Sequence, residues 1–159
     1  RLFQEVRERR GLCYSVYAFH WGFSDTGLFG VHAATGRDDI DKLVPVILSE
    51  LEKAGESIGQ DELDRARAQF RAGLLMSAES PASRASQIAR QLLLFGRPIP
   101  IEELVERLSK ITVERLTDLA GRLFSTKPTL TAIGPIGKLA PFEAVRGQLL
   151  RGGPQRLAV

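Results

Sequence analysis

The sequence predicts an α+β fold in which an antiparallel sheet is covered on one face by helices. Three observations support this fold class. Residues 13–23 and 28–35 alternate as strands do, with turn residues at 24–27 between them. Residues 60–124 repeat apolar side chains at helical spacing, between capping signals. A short apolar run at 129–133 is predicted to add a final strand.

The chain opens with a charged helix that Gly11 is expected to stop by adopting the left-handed conformation. Tyr14 then begins the first strand, so Arg7 and Tyr14 are expected at one helix-to-strand corner. Both side chains donate hydrogen bonds, and such a pair could hold a peptide carbonyl or a developing oxyanion. The alternative is a solvated charged helix followed by a half-buried strand, which periodicity alone favours.

The first strand presents two different faces. One face carries the bulky aromatic residues Tyr17, Phe19, Trp21 and Phe23, and the other carries Tyr14, Val16, Ala18 and His20. Since side chains two apart share a face, we expect the aromatic set to pack under the helices as core. Tyr17 could act in place of Tyr14, but its position assigns it to this core set.

Helices are predicted after the hairpin. Asp38 and Asp39 lie at the start of the first helix, where negative charge interacts favourably with the helix dipole. Pro45 should kink or loosen the second turn of this helix. The following helices are predicted at 60–78 with Leu63, Ala66, Phe70 and Leu74 buried, at 81–95 between Ser80 and Gly96, at 101–109, from Thr112 to Phe124 with Leu116, Leu119 and Leu123 inward, and at 141–150. Ser80 and Pro81 form a cap followed by a first-turn proline, which is a strong start signal.

Composition indicates one globular domain over residues 1–159. The net charge of +3 is slight and its basic residues are dispersed, so neither nucleic acid nor membrane is an expected partner. The sequence shows no membrane-spanning stretch and no signal peptide. The single cysteine, Cys13, is interpreted as a packing residue and leaves the redox compartment open. Because the chain starts at Arg1 inside a helix, it is expected to be a fragment of a longer protein.

The two histidines do not form a recognisable zinc site. Neither His20 nor His32 stands in an H-x-x-E-H motif, and both fall in strand-like runs that could make them cross-strand neighbours. No cysteine or carboxylate is placed to complete a ligand set. No cofactor is therefore predicted for this chain.

Four blocks, in order and at natural spacing, resemble one family. They are residues 1–17 (RLFQEVRERRGLCYSVY), 61–67 (DELDRAR), 77–84 (SAESPASR) and 94–100 (LFGRPIP). The family is the inverted-zincin metallopeptidases of the pitrilysin and mitochondrial processing peptidase type. The resemblance implies the metalloprotease-like half-domain fold, here lacking its first strand and helix. Their loss would expose a sheet edge, through which homo-association is expected.

The resemblance also implies a division of labour between two halves. In that family one half carries H-x-x-E-H and the zinc, and a homologous second half carries an Arg and a Tyr that approach the substrate carbonyl. This chain resembles the second half, with Arg7 and Tyr14 at the matching positions. The implied partners are a zinc-bearing half, in the same polypeptide or a separate subunit, and a peptide substrate. The isolated chain should be inactive, and the alternative is a catalytically silent scaffold like the family's respiratory-complex core subunits.

Overall fold

The structure, a computed structural model, describes residues 1–151, with side chains to residue 149. It contains a two-stranded antiparallel hairpin and a series of helices, which confirms the α+β class. The chain begins with a π-helical segment, Phe3–Arg9, and the strands are β1, Ser15–Gly22, and β2, Gly27–Ala34. The α-helices are α1, Ile40–Glu56; α2, Gln60–Ala78; α3, Pro81–Phe95; α4, Ile101–Ser109; α5, Val113–Phe124; and α6, Phe142–Arg151.

Local signals set the bounds of the central helices, and the predictions for α2, α3, α4 and α5 are confirmed. Ser80 Oγ accepts a hydrogen bond from the Ser83 N–H at 3.3 Å and so caps α3. Gly96 ends this helix in the left-handed region with φ 71°. Thr112 Oγ1 accepts from the Arg115 N–H at 3.3 Å at the start of α5.

The described chain forms two compact units. The first contains residues 1–21, 28–57 and those from 117 onward, and the second contains residues 22–27 and 58–116. In the first unit the main core joins the π-helical segment, β1 and α1; its buried members are Val6, Leu12, Cys13, Val16 and Leu43. A smaller cluster of Leu48, Val145 and Leu149 joins α1 to α6. In the second unit α2 contacts both α3 and α4.

The hairpin packs on α1 through the face opposite to the predicted one. Val16 is buried in the main core with Val31 and Ala33 of β2 beside it, whereas Tyr17 and Trp21 are each more than half exposed. Small and β-branched side chains let the helix approach the sheet closely, and the large rings occupy the other side. We call this other side the aromatic face; it comprises Tyr17, Phe19, Trp21 and His32, with Gly30 beneath Phe19.

Three further expectations were wrong or incomplete. Residues 129–133 form no strand, since the sheet of the described chain contains β1 and β2 alone and an extended segment needs a hydrogen-bonded neighbour. Along α2, Leu63 is buried, but Phe70 is 55% exposed. In α5 the buried positions are Ala120 and Gly121 rather than the predicted leucines. Separately from these three, α1 is continuous from Ile40 to Glu56 with Pro45 inside it, and the kink expected there stays a prediction.

Candidate active site

The candidate site begins on the π-helical segment, which Val6 anchors. The Val6 side chain has no exposed surface and packs in the core with Leu43 and Val16. The next residue, Arg7, is exposed to solvent. A π-helical turn is rare and occurs frequently at functional sites. Burial of one residue thus fixes which way its charged neighbour faces.

The other arginines of this segment are engaged with a carboxylate, and Arg7 is not. Arg9 Nη1 lies 3.1 Å from Glu5 Oε2, and Arg10 Nη2 lies 2.8 Å from Glu5 Oε1. The hydrogen bond from Arg10, followed by that from Arg9, lowers the pKa of the Glu5 carboxyl below its ordinary value. Across residues 1–151 no acidic side chain forms an ion pair with Arg7.

A glycine turn returns the chain toward Arg7. Gly11 has φ 62°, as predicted, and its N–H donates to the Arg7 carbonyl at 3.1 Å. The Leu12 N–H donates to the Val6 carbonyl at 2.9 Å, and the Tyr14 N–H donates to the Ala34 carbonyl at 2.9 Å. Tyr14 is therefore tied to β2 at the point where the hairpin begins.

Arg7 and Tyr14 are brought together, as the sequence predicts. The guanidinium carbon of Arg7 lies 5.8 Å from the centroid of the Tyr14 ring and 4.8 Å from that of the Phe3 ring. Tyr14 is 84% exposed, so its hydroxyl reaches solvent. Cation–π contacts occupy the ring faces and leave the guanidinium N–H groups able to donate. The corner can therefore present a charged donor and a phenolic donor to one acceptor.

Cys13 lies close to Arg7 but packs in the core. Its side chain is buried, and burial raises the pKa of the thiol above its ordinary value, with the nearby charge of Arg7 acting in the opposite direction. A raised pKa keeps the sulfur as the neutral thiol, which is a poor nucleophile. The interpretation of Cys13 as a packing residue agrees with its place in the main core.

The described residues do not fit a zinc site. Between residues 1 and 151 no three side chains of the His, Cys, Asp and Glu types lie together so that they could hold a metal ion. His32 stacks on Tyr17, with ring centroids 5.0 Å apart, which places it on the aromatic face. His20 has the opposite strand parity, so the two histidines are not the cross-strand neighbours that the sequence suggested. In the same residues no helix has the length and apolar character needed to cross a membrane.

Two further side chains bear on the composition of this corner. Tyr17, weighed as a substitute for Tyr14, belongs to the aromatic face, where it stacks on His32 rather than on Arg7. Phe3 also belongs to this corner, since its ring lies under the guanidinium of Arg7. Sequence reasoning missed this residue. The signal was present, since Phe3 and Arg7 are four residues apart and such pairs meet on a helix surface.

Comparison with known proteins supplies the context for this corner. Residues 1–70 match the family model described as the Peptidase M16 inactive domain. A Rickettsia felis protein named as a zinc protease is 35% identical over 135 residues, which are 85% of this chain and 33% of that protein. The Bacillus subtilis zinc protease YmxG is 34% identical over 142 residues, covering 87% of this chain and 34% of its own length.

Two further similarities come from eukaryotes. An Arabidopsis thaliana protein named as a probable mitochondrial-processing peptidase subunit beta is 34% identical over 133 residues, covering 83% of this chain and 25% of that protein. A chain of complex III2 from Candida albicans, with Inz-5 bound, has the same fold; its TM-score is 0.84 at 24% identity, over 94% of this chain and 36% of that one. This chain thus spans about a third of the length of its bacterial relatives.

Proposed function

Since the chain fits the C-terminal, non-zinc half-domain of the pitrilysin-type metallopeptidases, we propose that it is the substrate-binding, transition-state-assisting half of a zinc-dependent metalloendopeptidase. Its substrates would be peptides or unfolded protein segments. The observation that supports this role is the approach of the Arg7 guanidinium to the Tyr14 ring, at 5.8 Å, on an exposed corner. Arg7 and Tyr14 are the proposed catalytic residues.

The proposed chemistry is stabilisation of negative charge on an oxygen. Attack of water on a peptide carbonyl produces a tetrahedral species whose former carbonyl oxygen is anionic. The N–H groups of Arg7 and the O–H of Tyr14 would donate hydrogen bonds to that oxygen. Because arginine stays charged at any physiological pH, its donors favour the anionic species over the neutral carbonyl. The two side chains would therefore stabilise the transition state more than the bound substrate, and this difference lowers the barrier.

The zinc belongs, in this proposal, to a homologous half-domain. Relatives named as zinc proteases are about two and a half times as long as this chain and so have room for a second half. That half would be in the same polypeptide or in a separate subunit, and it would face Arg7 and Tyr14 across the substrate. Among residues 1–151 no further strand pairs with the outer edges of β1 and β2, and these edges would offer backbone groups to a strand of the partner or to a second copy of this chain.

The alternative is a catalytically silent scaffold that pairs with such a half. The likeness to a chain of complex III2 makes this alternative worth testing, although it concerns the fold alone. The presence of both Arg7 and Tyr14 at one corner favours the enzymatic role, because a scaffold has no use for two neighbouring donors.

A double substitution tests the proposal. In the complete protein with its zinc-bearing half, Arg7→Ala combined with Tyr14→Phe should lower the turnover of a peptide substrate at least about 100-fold, since removing one oxyanion donor costs about that much. Bound zinc should not change. A single Arg7→Lys substitution should also lower turnover, because an ammonium group cannot reproduce the planar array of N–H donors of a guanidinium.

The matched control is Arg9→Ala combined with Tyr17→Phe. It removes a neighbouring arginine and a neighbouring phenol that lie away from the corner. It should leave turnover within about twofold of the wild type, as surface changes usually do. If the Arg7 and Tyr14 double variant also keeps its turnover, the scaffold role replaces the enzymatic one.

A further inference from the structure

We infer that Phe3 is a positioning residue that holds the guanidinium of Arg7 beside Tyr14. This inference rests on the proposed function, because it concerns the same corner. Phe3 itself would not touch the substrate. Its ring would act through Arg7, by restricting where the charged group can lie.

The geometry of Phe3 supports a role in positioning rather than in the core. Its ring centroid lies 4.8 Å from the guanidinium carbon of Arg7, closer than the ring of Tyr14 at 5.8 Å. Phe3 is 44% exposed and is not among the buried members of the core, where Val6 represents this segment. A phenylalanine left half in water gains little from burial, so its contact with the cation is its distinguishing feature.

The way Phe3 holds Arg7 also matters for chemistry. A carboxylate partner would orient the guanidinium but would consume its donors and neutralise its charge. Glu5, a carboxylate on the same segment, is engaged by Arg9 and Arg10 instead. A ring attracts the cation through its quadrupole and accepts no N–H bond in the guanidinium plane. Arg7 thus contacts two rings and keeps its charge and its donors available.

Phe3→Leu in the complete protein, paired with its zinc-bearing half, tests the inference. The change keeps an apolar side chain and removes the ring, so kcat should fall about 5- to 10-fold while KM stays within about twofold. Phe3→Trp retains a ring and should keep kcat within about twofold. Phe70→Leu is the matched control, since Phe70 is a helical phenylalanine, 55% exposed, with no cation over its ring in the described chain. It should leave kcat and KM unchanged.

A double-mutant cycle separates positioning from a general defect. If Phe3 acts through Arg7, Phe3→Leu should change kcat by less than about twofold when Arg7 is already alanine. Full additivity of the two losses, or a wild-type kcat for Phe3→Leu beside a slow Arg7→Ala, overturns the inference and leaves the proposed function standing. A wild-type kcat for Arg7→Ala instead overturns the proposed function and this inference with it. If Phe3→Leu does not fold, Phe3→Met supplies a second ringless side chain for the same comparison.

Discussion

At the scale of single residues, Gly30 determines how the aromatic face of the hairpin is built. A methyl group added at Gly30 would lie 2.4 Å from Cζ of Phe19 and within 3.0 Å of two further ring atoms. The Phe19 ring can therefore lie flat across the strand only because position 30 has no side chain. The same ring lies 5.1 Å from Trp21 and 6.3 Å from Tyr17, between centroids. Moving it would disturb a row of three aromatic residues.

We predict that Gly30→Ala lowers the free energy of unfolding of this chain by about 1–3 kcal/mol, because the Phe19 ring must leave its place. The measurement is the urea dependence of unfolding, followed by far-UV circular dichroism. Gly22→Ala is the control, since the space around Gly22 is open and its φ does not require glycine. It should change the free energy by less than about 0.5 kcal/mol. Equal effects of the two substitutions would show that the Phe19 contact is unimportant.

Residue by residue, the sequence predicted the corner better than the faces around it. Arg7 and Tyr14 could be placed together because Gly11 gives an unambiguous stop, and the chain can return only over a few residues. The choice of buried face on β1 could not be made this way. The size of the aromatic side chains favoured their face as the buried one. The buried face is instead the one that packs against the apolar side of α1, and Val16 lies on that face. Such matching depends on packing between elements far apart in the sequence.

At the scale of elements, the loop between α3 and α4 is held by two separate contacts. The buried Gln91 side chain accepts a hydrogen bond from the Ile99 N–H at 2.8 Å. Arg97 donates to both oxygens of Glu103, at 2.7 and 2.9 Å, and Arg107 donates to the same carboxylate at 2.5 Å. The loop is thus fixed to the last turns of α3 on one side and to α4 on the other.

This network predicts an acid-sensitive contribution to stability. Hydrogen bonding from Arg97, then from Arg107, lowers the pKa of Glu103 from its ordinary value of 4.5 to about 2. A carboxyl whose pKa is lower in the folded state than in the unfolded state stabilises the folded state at pH values above the ordinary pKa. This contribution is lost as the pH falls from 4.5 toward 2. At pH 7 the wild type should therefore have a higher melting temperature than Glu103→Gln. The difference in melting temperature should shrink as the pH approaches 2.

Melting temperatures of both proteins from pH 7 to pH 2, by circular dichroism, check this prediction. Because the carboxylate is partly exposed, high salt at pH 7 should also narrow the difference. The account of Glu103 fails if the difference stays constant with pH or grows on acidification.

The bounds of an element could be predicted where they are set by neighbouring residues. They could not be predicted where they depend on partners far away in the sequence. Ser80, Gly96 and Thr112 end or begin helices through groups within a few residues, so α3 and α5 lie where expected. The run at 129–133 has the composition of a strand but no ladder neighbour in the described residues. Whether an extended segment pairs is decided by another part of the structure, which periodicity does not report.

At the scale of the whole molecule, we propose that the corner formed by Phe3, Arg7 and Tyr14 is half of a site. The relatives named as zinc proteases are about two and a half times as long as this chain, and residues 1–151 themselves contain no group of side chains that fits a metal. We therefore propose that the metal and the donors lie in different halves. Our central claim is that this half contributes to the transition state, beyond binding the peptide.

Steady-state kinetics of Tyr14→Phe in the complete protein, with its zinc-bearing half present, tests that claim most directly. The substitution keeps the ring beside Arg7 and removes only the hydroxyl, which is exposed and supports no core packing. We predict that kcat falls about 100-fold while KM stays within about threefold, because the lost hydrogen bond is strongest to the anionic oxygen. A wild-type kcat, or a loss confined to KM, would contradict the claim.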